Sequence, residues 1–501
     1  MEENNFFTIR ELIFNGNQDP DKNAIESPGY QPLTYRDLRL QVLSVVKSLN
    51  ARGFRRNDRI AIITPSGPET AVSIVAVMAG FTAVPLNPQN NEGEYADIFS
   101  RTGIKAIIVQ KGHVTAAIAV AKSLAIPVFE LVPSRVAGKF DLSPAVQNGL
   151  VEPEFAIASD TAYVLLTSGT TTESKVVTKT QKQSAEGKRR TCIYQKITPT
   201  DRCLHIMPYY HGMGVGPPLL SPLIAGATVI CTKDFIPSDF IDLLRIFRPT
   251  YFSAGPALSR GILRELKKIP PDRLKNHSLR YIRSSSGILP EDLSQGLETV
   301  LGVPVIDSYG MSEAGLISIN LPPKRGSVGI PVIGSLAIIN EKGELLKPNN
   351  IGEITIKDPG IFSDYENAPD ENRSAFINGW FRTGDLGYLD DEGYLFLTGR
   401  KKEMINKGGE KISPAEIDRV LMAHPGISEA MAFPVKDLVL GEDIAVMVVR
   451  KQDDLSEDDL RMYLLAHINI IKLPRKIYFV DQIPKNPAGK PLRYVGTQRY
   501  S

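Results

Sequence analysis

The sequence of 501 residues predicts an α/β protein: a large N-terminal domain of several sheets with helices covering them, then a small α+β C-terminal domain. Three observations predict it. Short apolar runs alternate with helical runs through the first two-thirds of the chain. From about Gly352 the texture changes to strand and turn. Behind the charged cluster Arg400-Lys401-Lys402-Glu403 a separate αβ pattern of about 100 residues runs to the end, an ordinary size for a second domain. A chain this long exceeds one compact core, and about three folding units are expected.

In chain order, Ile60–Ile63 reads as a strand ahead of a helical run from Glu69 to Gly80. Ala83–Leu86 and Ala106–Val109 are further strands, separated by a helical Glu92–Arg101. Strands spaced by helices point to parallel sheets covered on both faces. The rhythm recurs at Ala162–Leu166, Ala227–Cys231 and Val303–Asp307. Glu353–Ile356 and Gly393–Leu397 read as antiparallel strands, with Asp390-Asp391-Glu392-Gly393 as a hairpin turn. The last stretch reads as helix Ser413–Leu421, strands Glu429–Phe433 and Asp443–Val449, helix Ser456–His467 and strand Lys476–Val480. Ser413, Pro414 and Glu416 suit the N-cap, first and third positions of a helix.

Composition excludes several functions. With 58 Lys+Arg against 56 Asp+Glu the net charge is +2, so no single-sign field supports nucleic-acid or membrane-surface binding. Cys192, Cys203 and Cys231 lack metal-ligand spacing, which suits a reduced interior. The charge-free stretches Thr70–Asn91 and Cys203–Thr232 are broken by Pro, Gly and Asn, so both read as buried elements and not membrane spans. The N-terminus shows no secretory pattern and Arg499-Tyr500-Ser501 no peroxisomal address, so a cytoplasmic location is expected.

The richest chemistry lies at Thr167-Ser168-Gly169-Thr170-Thr171-Thr172-Glu173-Ser174-Lys175, directly behind an apolar strand. A hydroxyl- and Gly-rich turn offers backbone N–H and O–H donors to phosphate oxygens, and a Lys adds charge. The spacing differs from the Gly-x4-Gly-Lys-Ser/Thr nucleotide loop. It resembles the phosphate loop of the adenylate-forming superfamily of acyl-CoA synthetases, luciferases and peptide-synthetase adenylation domains. Further motifs match in the superfamily's order: Tyr309-Gly310-Met311-Ser312-Glu313, Trp380-Phe381-Arg382-Thr383-Gly384-Asp385, Gly399–Glu403 and Pro484–Lys490.

The resemblance implies roles. ATP or AMP is met by Thr167, Ser168, Gly169, Thr170, Thr171, Lys175, Ser286, Ser308, Tyr309, Gly310, Met311, Ser312, Asp385 and Arg400. Within that set Tyr309 lies against adenine, Asp385 on the ribose hydroxyls, and Glu313 on Mg²⁺. Lys490 bridges the substrate carboxylate and the α-phosphate, where a fixed cation stabilises developing charge. Lys402 falls on the hinge, giving a large domain of 1–399, a hinge of 400–403 and a mobile small domain of 404–501. Gly408 and Gly409 belong to the loop that approaches the pantetheine tunnel, where paired glycines let backbone come close. Tyr210, His211 and Gly212, with Ser285, Ser286 and Gly287, resemble the acyl-pocket stretches, His211 as the gate.

The similarity runs from about Leu33 to Arg493 and is greatest to oxalate-CoA-ligase-like small-acid ligases and related loading domains of polyketide and peptide synthetases. Thr172 and Ser174 depart from the usual phosphate loop, Ser312 stands for the usual Thr, and Asn406 for a Lys near AMP. The implied activity is ATP- and Mg²⁺-dependent formation of acyl-AMP, then transfer to the thiol of CoA or of a carrier protein's phosphopantetheine. The chain stops eleven residues after Lys490, which favours CoA. His211-Gly212 in place of an ammonium-pairing Asp disfavours α-amino acids, and the Ser284-Ser285-Ser286 hydroxyls favour a small polar acid. A luciferase-like oxygenase is the rival from another class. A binding protein that has lost catalysis is a second rival, and the retained Glu313, Asp385, Arg400 and Lys490 argue against it.

Overall fold

The computed structural model describes all residues except 1–5, 17, 146–150, 168–174, 275, 286, 288, 452–453 and 487–488. Two large sheets form the body. One has seven strands, with Arg59–Ile63, Thr82–Pro85, Ala106–Gln110, Val128–Pro133 and Thr161–Leu166 all parallel. Its antiparallel edges are Phe140–Ser143 and Val176–Thr180. The other has nine strands, and its parallel centre runs through Arg202–His205, Thr228–Cys231, Tyr251–Ala254, Tyr281–Ser284 and Val305–Met311.

Parallel strands buried on both faces read as near-continuous apolar runs, which is why composition located them. The helix Pro68–Gly80 is buried at every residue, so the absence of charge after Glu69 reflects a place between layers. The second charge-free stretch is likewise internal: it holds two strands and the helical segments Gly212–Val215, Gly216–Leu220 and Ser221–Ile224. No helix among the described residues is long and apolar enough to cross a membrane.

A third sheet is built of Ser335–Ile339, Gly352–Lys357, Phe376–Ile377, Trp380–Leu389 and Leu395–Arg400, all antiparallel. The expected hairpin turn joins the last two, with the Asp390 carboxylate accepting from the Glu392 and Tyr394 N–H groups and Gly393 at φ +82°. The fourth sheet, five strands between Ile405 and Phe479, carries its own helices Pro414–Met422, Glu457–His467 and Arg493–Tyr500. Among the described residues no hydrophobic cluster mixes side chains from before Arg400 and after Glu403. A short 3-10 turn, Lys401–Glu403, joins the two regions.

Two expectations are corrected. The strand expected from Val303 starts at Val305 and runs on through Met311, so Tyr309, Gly310 and Met311 lie on the strand and not in a turn after it. The segment 167–175 joins two antiparallel strands, Thr161–Leu166 and Val176–Thr180. Ser413 is the N-cap and Pro414 the first helical residue, as expected, but the Ser413 hydroxyl donates to the Thr398 carbonyl (2.7 Å) and not to the helix, and Glu416 pairs with Lys472. Tertiary partners outbid the local capping pattern there.

Candidate functional site

A cleft of about 2590 Å³ runs between the third sheet, the C-terminal ends of the nine-stranded sheet and the C-terminal region. Thr167, Lys175, His211, Gly212, Ser285, Gly287, Ser308, Tyr309, Gly310, Met311, Ser312, Glu313, Asp385, Arg400, Lys402 and Lys490 all line it. Ser168, Gly169, Thr170, Thr171 and Ser286 lie outside the described residues. Tyr210, Gly408 and Gly409 do not line this cleft, although Tyr210 packs on the His211 ring at 4.6 Å between centroids.

At the base of the loop 167–175, the Thr167 N–H donates to the Lys175 carbonyl (2.9 Å) and the Lys175 N–H to the Thr167 hydroxyl (3.1 Å). The Lys175 ammonium sits 4.0 Å from the Tyr365 ring centroid. Burial, then the nearby Lys402 charge, lowers the Lys175 pKa. The Tyr365 hydroxyl also donates to Glu313 Oε1 (2.8 Å), so one tyrosine fixes both an ammonium and a carboxylate.

Glu313 is buried, and the Phe362 N–H donates to its backbone carbonyl (2.8 Å). Gly310 just ahead of it lies at a register shift between antiparallel strands. A Cβ there would meet the Gly315 carbonyl oxygen at 2.4 Å, so the motif requires Gly at that position. The Ser308 hydroxyl donates to the Ser284 carbonyl (2.9 Å).

Asp385 is held from two sides. Tyr309 donates its phenol to Oδ2 at 2.6 Å, and Arg400 places Nε 2.9 Å from Oδ1. Asp385 and Arg400 are paired across adjacent strands, which explains how a distant Arg reaches the carboxylate. The Asp385 charge raises the pKa of the Arg400 guanidinium.

Lys490 rides on a tight loop. Asn486 accepts from the Lys490 N–H through its side chain (2.9 Å) and donates its own N–H to the Lys490 carbonyl (2.9 Å). Gly489 takes φ +79°, and a Cβ there would meet Ala257 Cβ at 2.9 Å, so the loop tip touches the body of the protein. Burial, then the Arg400 charge, pulls the Lys490 ammonium down to about 8. Beside it Arg493 binds Glu403 (2.9 Å) and Asp418 (2.6 Å), joining the connecting turn to the C-terminal helix.

His211 sits at the start of the helical segment Gly212–Val215, its Nε2 buried without a partner among the described residues. Burial pushes its pKa down to about 4, so the ring is neutral at pH 7. A Cβ on Gly212 would meet the Ser312 hydroxyl at 3.5 Å, so the pocket segment adjoins the Tyr309–Glu313 motif. Asn406, in the place of a Lys, is a loop-former: its side chain accepts from the Gly409 N–H (3.1 Å).

Sequence reading missed Tyr365, Asp418 and Arg493 as supports of the site. Their partners lie 52 to 90 residues away in sequence, so no local spacing marks them.

A model described as AMP-binding enzyme matches residues 14–366, and the AMP-binding enzyme C-terminal domain matches residues 416–490. The chain belongs to the AMP-binding enzyme family. Within it the protein is a member of the adenylate-forming CoA ligase superfamily. It is 34% identical over 495 residues to the oxalate–CoA ligase of Arabidopsis thaliana, covering 96% of each chain. The crystal structure of ATP-bound MatB from Rhodopseudomonas palustris superposes with a TM-score of 0.89 at 28% identity over 98% of each chain. O-succinylbenzoate coenzyme A synthetase from Bacillus subtilis, in complex with ATP and magnesium ion, matches at TM-score 0.82 and 26% identity, over 96% of this chain and 98% of that one.

A bound Mg²⁺ fits what this AMP-binding enzyme offers. Among the described residues no three His, Cys, Asp or Glu side chains converge, whereas Glu313 presents a buried carboxylate in the cleft beside the phosphate-loop Lys175, with Glu371 also near that ammonium. One protein carboxylate completed by nucleotide phosphate oxygens is the usual magnesium arrangement.

Proposed function

We propose that this enzyme joins a small polar carboxylic acid to CoA through an acyl-adenylate, using ATP and Mg²⁺. The observation that carries the reading is the meeting, in one cleft, of Lys490 with the Asp385–Arg400 pair, Glu313 and Lys175, drawn from motifs far apart in the chain. In this reading Asp385 accepts the ribose hydroxyls, a carboxylate being the strongest bidentate acceptor available. Tyr309 packs against the adenine. Glu313 holds Mg²⁺, which screens the triphosphate, and Tyr365 holds Glu313. Lys175 and the loop residues Thr167, Ser168, Gly169, Thr170 and Thr171, with Ser312, bind phosphate oxygens.

Lys490 sits between carboxylate and α-phosphate and stabilises the charge that develops as the carboxylate oxygen attacks and pyrophosphate leaves. The neutral His211 acts as wall and gate of the acyl pocket, not as a charged catalyst. Residues 404–501 then turn about Lys402, withdraw Lys490 and bring Gly408 and Gly409 to the cleft for the thiol. That both glycines lie off the cleft while Lys490 lies in it supports two working orientations. CoA is the proposed thiol, since the curated relative of greatest identity given above is named a CoA ligase over its full length. The three free, buried cysteines agree with a reducing, cytoplasmic setting.

A panel of carboxylic acids read by pyrophosphate release, with CoA present and absent, tests the reading. Pyrophosphate with some acid, and thioester only with CoA, is expected. Thioester only with a carrier protein would move the thiol, light or CO₂ release would favour oxygenase chemistry, and no pyrophosphate with any acid would overturn it.

A further inference from the structure

We propose that Arg283 and Lys188 form an anion-binding floor to the acyl pocket, which selects short dicarboxylic acids by their second carboxylate; this rests on the acid–thiol ligase reading above. Arg283 is the penultimate residue of the strand Tyr281–Ser284 and is only 2% exposed. In the parallel register Ser253 pairs with Arg283 and Tyr251 with Tyr281, so these side chains share one face of the sheet. Deeper on that face Tyr251 and Tyr281 are sealed by Cys203, Ile306 and Leu316. The Arg283 guanidinium, near the strand end, lines the cleft instead.

Its Nη1 lies 3.1 Å from the thioether of Met213, and its Nε is buried with no partner among the described residues. The Ser253 hydroxyl beside it is also buried and unpartnered. On the neighbouring strand the buried Asp307 accepts from the Ser308 N–H (2.9 Å), and no ion pair joins it to Arg283. Burial lowers the guanidinium to about 10, so it still carries its charge at pH 7. Asp307 acts on this buried cation only through space and forms no ion pair with it, so the guanidinium faces a thioether and a cavity, an arrangement that an anionic ligand completes.

Lys188, on the helix Gln181–Tyr194, is 7% exposed and lines the same cleft. Its ammonium is 5.9 Å from the Tyr163 ring centroid and has no carboxylate within ion-pair distance among the described residues. It fills the space beside Gly216, where a Cβ would meet its Nζ at 2.8 Å. Met213 and Gly216 are neighbours on the helical run Gly212–Leu220, so both cations abut that one element. The same run begins at Gly212, against Ser312 of the nucleotide motif. The reacting carboxylate therefore sits at Gly212 and the tail points toward Met213.

The test compares oxalate, malonate and succinate with acetate, propionate and butyrate, read by AMP and pyrophosphate formation. The wild-type enzyme should prefer a diacid over its monoacid partner, and Arg283→Leu should lower that preference by about 10²–10³-fold. Lys188→Met should lower it in the same direction, Arg283→Lys should restore part of it, and monoacid turnover should be retained or improved in both neutral variants. Wild-type preference for a monoacid would overturn the anion floor and leave the ligase reading intact. An equal fractional loss for diacids and monoacids in Arg283→Leu and Lys188→Met would overturn it too, by showing a structural role. If no acid yields pyrophosphate, the ligase reading itself fails.

Discussion

Replacing Lys490 by Met separates what this residue does for the reaction from what it costs the fold. The ammonium is surrounded by burial and by Arg400 and Arg493, with Glu403 and Asp385 only partly compensating. Its pKa falls from 10.5 to about 8, which corresponds to about 3 kcal/mol against the charged form. Because the folded value is lower than the unfolded one, the unfolded chain binds more protons between pH 8 and 10.5. That cost is therefore full below pH 8 and fades as pH rises toward 10.5. Lys490→Met keeps the stem and drops the charge, so it should gain about 1–3 kcal/mol in chemical denaturation at pH 7 and progressively less at pH 9 and 10. Adenylation, followed by pyrophosphate release, should drop about 10²–10³-fold. Thioester formation from synthetic acyl-AMP should be nearly unchanged. A variant less stable than wild type at pH 7, a gain that grows with pH, or equal loss of both half-reactions would refute the reasoning.

Four further outcomes are expected. Asp385→Ala should raise KM for ATP more than it lowers kcat, because ribose contacts exist in ground and transition states alike; the reverse pattern in steady-state kinetics would reject the assignment. Tyr365→Phe removes the donor to Glu313 and should weaken Mg²⁺ activation about 10–100-fold in a magnesium titration of pyrophosphate release. Arg493→Met strands the buried Asp418, whose pKa burial already raises, and should cost about 3–5 kcal/mol in the denaturation of the C-terminal region, less at acid pH. Gly214→Ala would set a Cβ 1.9 Å from the Pro208 carbonyl, so the variant should lose both stability and turnover of its best acid.

Much of the fold was legible because buried parallel strands leave unbroken apolar runs. Arg59–Ile63, Thr82–Pro85 and Ala106–Gln110 fall within one residue of their expected starts. Strand Val305–Met311 was less so: Asp307 and Gly310 are poor strand formers, and pairing with Gly315–Ile319 keeps its far end extended. Of the site, the motifs were legible and the supports were not. Nothing near Glu313 announces Tyr365, and nothing near Lys490 announces Asp418. Arg283 illustrates the same limit, since a charged residue ending the run Tyr281-Ile282-Arg283 reads as a surface turn until the sheet puts it inside.

Because each side of the turn at Lys401–Glu403 buries its own apolar clusters, little holds the two sides in one orientation. Among the described residues the seam includes the exposed Lys411–Glu341 pair, the Lys401–Glu353 pair (3.0 Å), the Ser413 hydroxyl on Thr398 and the Gly489 tip against Ala257. The exposed Lys411–Glu341 pair contributes about 0–1 kcal/mol and weakens with salt. A bias of about 1–3 kcal/mol from a bound ligand is therefore enough to swing the balance of orientations. Reorientation would then proceed by exchanging a few wet contacts, with no core repacked, so its rate should rise with ionic strength while the resistance of either core to unfolding stays the same.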